Sequence, residues 1–293
     1  MKDDVEFPTI KPLVQSVITA PDGTRCTIAA FGGETNWSLA PLRTATTAAQ
    51  NQDFARKVGS ALWGIGARRV FAPSPIEFNA LVLEDTSVLR EHISLLPGLV
   101  MQRNPESPAD GTRLEEASDA GVFSAGGCSI FIAIFRKDMV FAHAGRDCVI
   151  DRTRVLSKGK RTGRKHRSVV DQIMHVLGVE KNSPDAREVH VWPVWSIRPE
   201  DFAHHLDAKN DVHRRYNQAA AEYLPRYFDE RAVYRKDNAV HLDVPRIGQT
   251  QFMSYGVLEE NIHFKHAYLH DDLPHTRGNE PNKRYLVAVV RNW

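Results

Sequence analysis

Residues 121–150 read GVFSAGGCSIFIAIFRKDMVFAHAGRDCVI: a turn, an apolar run, a charged reversal at Arg136-Lys137-Asp138, and a second apolar run ending on His143. Ser129 to Phe135 and Met139 to Ala142 are too short for a helix pair and rich in Ile, Val and Phe, which predicts a buried β-hairpin. A hairpin folds its two open ends together. Cys128 enters the first strand out of a Ser-Ala-Gly-Gly turn, and His143 leaves the second into Ala144-Gly145. With the reversal centred near Arg136, thiol and imidazole lie at the same end of the pair, where cross-strand neighbours touch.

A cysteine is a nucleophile only as its thiolate, and a neighbouring imidazole supplies the proton acceptor. Glycines at 126 and 127 permit a sharp turn that leaves backbone amides beside the sulfur, where a tetrahedral oxyanion would form. The candidate site is therefore Cys128 as nucleophile and His143 as base, with Gly127 and Ser129 as backbone support and Ser124 and Gly126 as lining. No residue that would orient His143 is legible. The competing reading is a core cysteine, as free cysteines usually are, and a strand-end histidine bonded to a backbone carbonyl. The residues alone leave both open.

A Gly-Cys at the mouth of a strand with a histidine 15 positions later resembles the catalytic domain of the cytotoxic necrotizing factor family, glutamine deamidase toxins that act on Rho GTPases. The same Cys-His fold is shared by the laccase-domain proteins, polyphenol oxidase-like and purine-nucleoside enzymes, and His143-Ala144-Gly145-Arg146 resembles their His-Ala-Gly-Trp-Arg segment. Phe252 to Val257 and Thr276 to Arg291 resemble, more thinly, a late Gly-Val element and a closing Arg-rich strand of those proteins. Laccase-domain enzymes bind a metal through the cysteine, this histidine and an upstream Gln-Val-His-Gly histidine. Before Cys128 the chain has only His92, in LREHISLL, which is not that motif. The toxin branch needs no metal, and the resemblance leans that way, although Gly126 stands where the toxin pattern Leu-Ser-Gly-Cys has its serine, leaving that role to Ser124 or Ser129.

What this resemblance implies is a cysteine-dependent glutamine deamidase, or transglutaminase, without cofactor or metal. Cys128 would attack a switch-region carboxamide of a host Rho-family GTPase, and His143 would take the proton and return it to departing ammonia. The protein would act in a host cytosol after secretion or translocation from a bacterium. Two alternatives stand beside it: a zinc-dependent laccase-domain purine-nucleoside enzyme holding the ion through Cys128, His143 and a third ligand, and an inactive binding module of the same fold.

Length and composition bound the rest. At 293 residues and 42% hydrophobic content the chain can build a substantial core. A net charge of +2 argues against a polyanion binder, so no nucleic-acid partner is expected. Cys26, Cys128 and Cys148 are odd in number and lack zinc-like spacing, which argues against a disulfide framework. There is no run of about 18 apolar residues, hence no expected membrane span, and MKDDVEFPTIKP shows no apolar signal region. The expectation is one monomeric α/β domain over 1–293, with 1–12 a loose segment: a mixed, sandwich-like central sheet flanked by helices, the Cys-His site at a loop-covered edge.

Along the chain, Leu13 to Phe31 turns at Pro21-Asp22-Gly23 and predicts an edge hairpin of the same sheet. Thr44 to Trp63 has helical spacing. Short strands are expected at Arg69 to Phe71 and Asn79 to Glu84, a helix at Ser87 to Leu96, and a polar loop from Met101 to Asp119. Arg152 to Arg167 carries eight Lys or Arg and no acid, a basic patch without the aromatics that base stacking needs. Helices are predicted at His166 to Val179, from Arg198, and at Asp211 to Leu224, and strands at Glu188 to Trp195, Ala239 to Val244, Asn261 to Leu269 and Arg284 to Trp293. His204, His205 and His213 tempt a metal reading, but Asp201 and His205 at i, i+4 lack a placed third ligand, and surface charge explains them as well.

Overall fold

The hairpin forms where the apolar runs place it. Ser129–Phe135 pairs antiparallel with Asp138–Ala144, from Phe135 opposite Asp138 at the turn to Ser129 opposite Ala144 at the open end. Arg136 and Lys137 take φ of 46° and 73°, the left-handed pair whose twist matches that of the flanking strands. Arg136 is anchored outside by Asp185 at 2.6 Å and Glu188 at 3.1 Å. Both strands are covered on both faces, which is why they read as continuous apolar runs rather than alternating ones.

This computed structural model describes residues 9–74, 80–104, 106, 108–157, 168–273 and 283–292. The hairpin is the centre of a five-stranded sheet in the order His190–Val194, Ser129–Phe135, Asp138–Ala144, Gly111–Leu114, Val82–Leu83. A seven-stranded sheet runs Val14–Thr19, Arg25–Phe31, Tyr285–Asn292, Asp119–Ala125, Arg69–Phe71, Leu99–Arg103, Glu91–Leu96. Ile130, Ile132, Met139 and Phe141 from the first sheet pack on Ile28, Phe123, Val287 and Val289 from the second. Fully burying a side chain of this size stabilises by roughly 1.5–3 kcal/mol, so this interface is one of the core layers of the molecule.

Helices close both outer faces. Gln52–Gly64 lays Val58, Ala61 and Leu62 on Ala29, Phe31 and Ala288 of the seven-stranded sheet. Val169–Val176, Asp211–Tyr223 and Val244–Tyr255 cover Phe131, Ala133 and Val140 on the back of the hairpin. A small sheet of Ala203–His205, Ala239–Leu242 and Val233–Lys236 completes that side. The mixed α/β sandwich flanked by helices is thus the fold, and among the described residues no helix is long and apolar enough to cross a membrane.

Several local expectations are corrected. The Val14–Phe31 hairpin is an edge pair, but of the other sheet from Cys128 and His143. Thr86–Val88 is a single tight turn, and Glu91–Leu96 is a strand, because Ile93 and Leu95 drop onto the helix side of the sheet. The expected polar loop at 101–119 contains the strands Leu99–Arg103 and Gly111–Leu114. Arg198-Pro199-Glu200-Asp201 makes a turn into a strand rather than a helix, and Asn261 to Leu269 forms tight turns instead of a strand. Pro193 is accommodated because His190–Val194 is an edge strand. Of the basic run, 158–167 lies outside the described residues, as do Thr276, Arg277 and His275.

Candidate active site

Three segments converge at the open end of the hairpin. His143 is in register with Ile130, one step from the strand mouth where Cys128 sits. On its other side, Asp138–Ala144 pairs with Gly111–Leu114, Ala142 opposite Gly111. A side chain at Gly111 would meet the Phe141 carbonyl oxygen at 2.5 Å, so only glycine lets this strand approach. That approach delivers the preceding residue, Asp110, to the imidazole: its carbonyl accepts from the His143 backbone N–H at 2.6 Å.

The Asp110 carboxylate is wholly buried and held by three donors. The Ala80 N–H reaches Oδ2 at 2.7 Å. His143 Nδ1 at 3.0 Å and Cys148 Sγ at 3.1 Å both give to Oδ1. An acceptor at Nδ1 fixes the tautomer, and the ring is also hydrogen-bonded to Cys128. On the Nε2 side the ring packs against Gly145, where a Cβ would come within 2.7 Å of Cε1. Asp110, His143 and Cys128 therefore form a carboxylate–imidazole–thiol series, the arrangement that activates a nucleophile in acyl-transfer enzymes on unrelated folds.

The electrostatics agree with the geometry. Burial alone would push the His143 pKa down, but the negative charge on Cys128 and the hydrogen bonds to Asp110, Cys128 and Cys148 outweigh it and hold the pKa well above the ordinary 6.5. That is the condition for an imidazolium facing a thiolate. Burial pushes the Cys148 thiol up to about 11, so it stays protonated and donates to Asp110. Cys26 is pushed up by burial to about 12 in the core and takes no part.

Cys128, half-buried, opens onto a cavity of about 390 Å³ lined also by Gly145, Arg146, Asp147, Phe202, His204 and Asn217. Arg146 is clamped there: it donates to both oxygens of Asp147 at 2.9 and 3.1 Å, approaches His204 Nδ1 at 3.2 Å, and lies over the Tyr216 ring at 4.6 Å. The wall thus offers a fixed cation and imidazoles to a polar small molecule.

The other candidate residues divide. Gly127 takes φ of 111°, as the turn requires, and its carbonyl accepts from the Ile197 N–H at 2.7 Å. Its backbone is also hydrogen-bonded to the buried Tyr285 hydroxyl. Ser129 is fully buried with no partner for its hydroxyl among the described residues, facing Ala144 and not His143. Ser124 Oγ donates to the Trp37 carbonyl at 3.0 Å and accepts from the Leu39 N–H at 2.7 Å, tying down the 37–39 loop instead of serving the cavity. Gly126 belongs to the turn ahead of Cys128. Sequence reasoning missed Asp110 and gave Cys148 no part in the site. It also assigned His204, His205 and His213 to surface charge, although all three line the Cys128 cavity.

The resemblance to metal-binding laccase-domain enzymes can be tested on the donor set. His92 is exposed on Glu91–Leu96, the outermost strand of the other sheet, three strands from Asp119–Ala125, and cannot join Cys128 and His143. Among the described residues, the donors close enough to share an ion are Asp110, His143 and Cys148, within 4.8 Å of one another. Those atoms are already spent on each other. A three-ligand zinc site built on Cys128, His143 and a third histidine does not fit, and no step below is routed through a metal.

No protein-family model and no curated protein matches the chain. Solved structures do. A DUF152-family protein of Neisseria meningitidis superposes with a TM-score of 0.57 at 12% identity, covering 97% of this chain and all of that one. YlmD of Geobacillus stearothermophilus gives 0.55 at 13% identity over 94% of each chain. The hypothetical protein YfiH of Bacillus licheniformis gives 0.51 at 12% identity, covering 91% of this chain and 92% of that one.

None of these three is described as a Rho-activating toxin, and at this identity the likeness is one of fold. The expectation of a toxin-type glutamine deamidase directed at a host Rho GTPase is corrected accordingly. The reason lies in the motif: Gly-Cys with a histidine 15 positions later is common to both branches and cannot separate them. This chain has the fold of these three proteins, with an Asp110–His143–Cys128 series at the mouth of its central hairpin.

Proposed function

We propose that the protein is an enzyme of the laccase-domain type acting on purine nucleosides, with Cys128, His143 and Asp110 as its reacting unit. The observation that carries the reading is this series opening onto a small-molecule cavity in a fold shared with laccase-like proteins. His143, held as the imidazolium, is placed to give a proton to the purine as a bond to it breaks, and to recover one from the incoming nucleophile. Cys128 lies at the cavity wall beside His143, whose charged form it favours. Asp110 fixes the ring and stabilises its charged form. Arg146, clamped by Asp147, supplies a rigid cation for the polar end of the substrate.

The test is incubation of the purified protein with adenosine, inosine or guanosine, with and without inorganic phosphate, followed by chromatography of the products. Free base that appears only with phosphate identifies phosphorolysis, and inosine from adenosine identifies deamination. Either must vanish in His143→Ala. No product from any nucleoside, before or after supplementation with zinc, overturns the reading and favours a binding module.

A further inference from the structure

Tyr285 opens the strand Tyr285–Asn292, and its register partner on the neighbouring strand is Ala125. Ala125 is the last strand residue before the Gly126-Gly127 turn that delivers Cys128. The tyrosine is wholly buried in the layer between the two sheets. Packing there asks only for the ring, whereas a buried hydroxyl has to find partners. It finds two. Tyr285 Oη donates to the Trp195 carbonyl at 3.3 Å. It is also hydrogen-bonded to the Gly127 backbone in the sense that favours a phenolate, so there the N–H is the donor.

The other side of Gly127 is held as well, since its carbonyl accepts from the Ile197 N–H at 2.7 Å. With φ at 111° and no Cβ to restrain it, Gly127 takes its direction from these two bonds. Both lead back to residues 195–197. Trp195 is buried at φ of 50°, a conformation that a bulky residue keeps only where its surroundings impose it. The Trp195 N–H donates to the His266 carbonyl at 2.8 Å and the Ser196 N–H to that of Ala267 at 2.7 Å, while the Trp195 carbonyl takes the Tyr285 hydroxyl. A strained, fully bonded segment and a buried hydroxyl thus converge on the peptide ahead of the cysteine.

We propose that Tyr285 is a positioning residue for Cys128: its hydroxyl, with the Trp195–Ile197 segment, locks Gly127 so that the thiol is held facing His143. This rests on Cys128 and His143 belonging to the reacting unit. It adds the group that holds the cysteine to Asp110, which holds the histidine.

The experiment follows the rate of Cys128 alkylation by iodoacetamide against pH, read by peptide mass mapping. Tyr285→Phe keeps the ring and removes only the oxygen. Val287→Ala, two residues along the same strand and in the same core layer, loosens the packing without touching the turn. Tyr285→Phe is expected to react roughly tenfold more slowly at pH 7, with its profile displaced to higher pH and its high-pH plateau kept. The His143 ring pKa, read by nuclear magnetic resonance, falls with it as the sulfur moves away. Val287→Ala follows the wild-type profile although it melts earlier. Gly127→Ala, which puts a Cβ at a left-handed φ, displaces the profile in the same direction and decides the question if Tyr285→Phe does not fold. A wild-type profile in folded Tyr285→Phe, or an equal displacement in Val287→Ala, overturns the proposal. Alkylation needs no nucleoside, so a failure of nucleoside turnover would count against that reading alone.

Discussion

Cys128, Cys148 and Cys26 are chemically identical side chains in three settings. Cys128 is half-buried beside an imidazolium, while Cys148 and Cys26 are wholly buried with thiols pushed up to about 11 and about 12. Iodoacetamide at neutral pH is therefore expected to alkylate Cys128 alone, read by peptide mass mapping; labelling of Cys148 first would contradict the assignment. Asp110 acts one residue further back. Asp110→Asn removes the charge that stabilises the imidazolium and lets the ring adopt the wrong tautomer, so turnover of the nucleoside that proves to be the substrate should fall roughly 10²-fold or more. The cysteine and histidine were legible in the sequence because they flank one hairpin. Asp110 was not, because it arrives from 33 positions upstream through a strand pairing that a stretch read as polar loop conceals.

At the level of elements, run lengths and turn chemistry predicted the hairpin correctly, since two charged residues between apolar runs of strand length leave few other folds. The same logic failed at Glu91–Leu96, where covered and uncovered side chains do not alternate strictly and the period is ambiguous. Arg198-Pro199 carried a helix-start signal that the small sheet overrode, and with it went the i, i+4 spacing of Asp201 and His205. The strand end also gives a test. Gly145 abuts the His143 ring at 2.7 Å from where a Cβ would lie, so Gly145→Ala should tilt the ring and suppress turnover. The strand itself ends at Ala144, so the melting temperature should stay within a few degrees of wild type.

On the scale of the whole molecule, the sandwich depends on the two sheets meeting closely. Gly121, within Asp119–Ala125, faces the Phe141 ring, whose carbons lie 2.1–2.4 Å from where a Cβ would stand. Gly121→Ala must push Phe141 out of the core between the sheets, an overpacking expected to cost about 1–3 kcal/mol and visible as a lower midpoint in urea unfolding; an unchanged midpoint would show that the sheets are looser than described. The class of this architecture was legible from composition and alternating element signals, but its division into two sheets was not, because sequence periodicity says which residues are buried and not which neighbours bury them.

The account's central claim is that His143 is a charged group held between Asp110 and Cys128. Nuclear magnetic resonance titration of its ring nitrogens measures this directly. A pKa well above 6.5 is predicted in the wild type, falling in Asp110→Asn and in Cys128→Ser, because each removes a partner of the imidazolium. By linkage, the stability His143 contributes is fully present below a pH of about 6.5 and is lost as pH rises through the raised folded-state value. A wild-type pKa at or below 6.5, unmoved by either substitution, would contradict the claim.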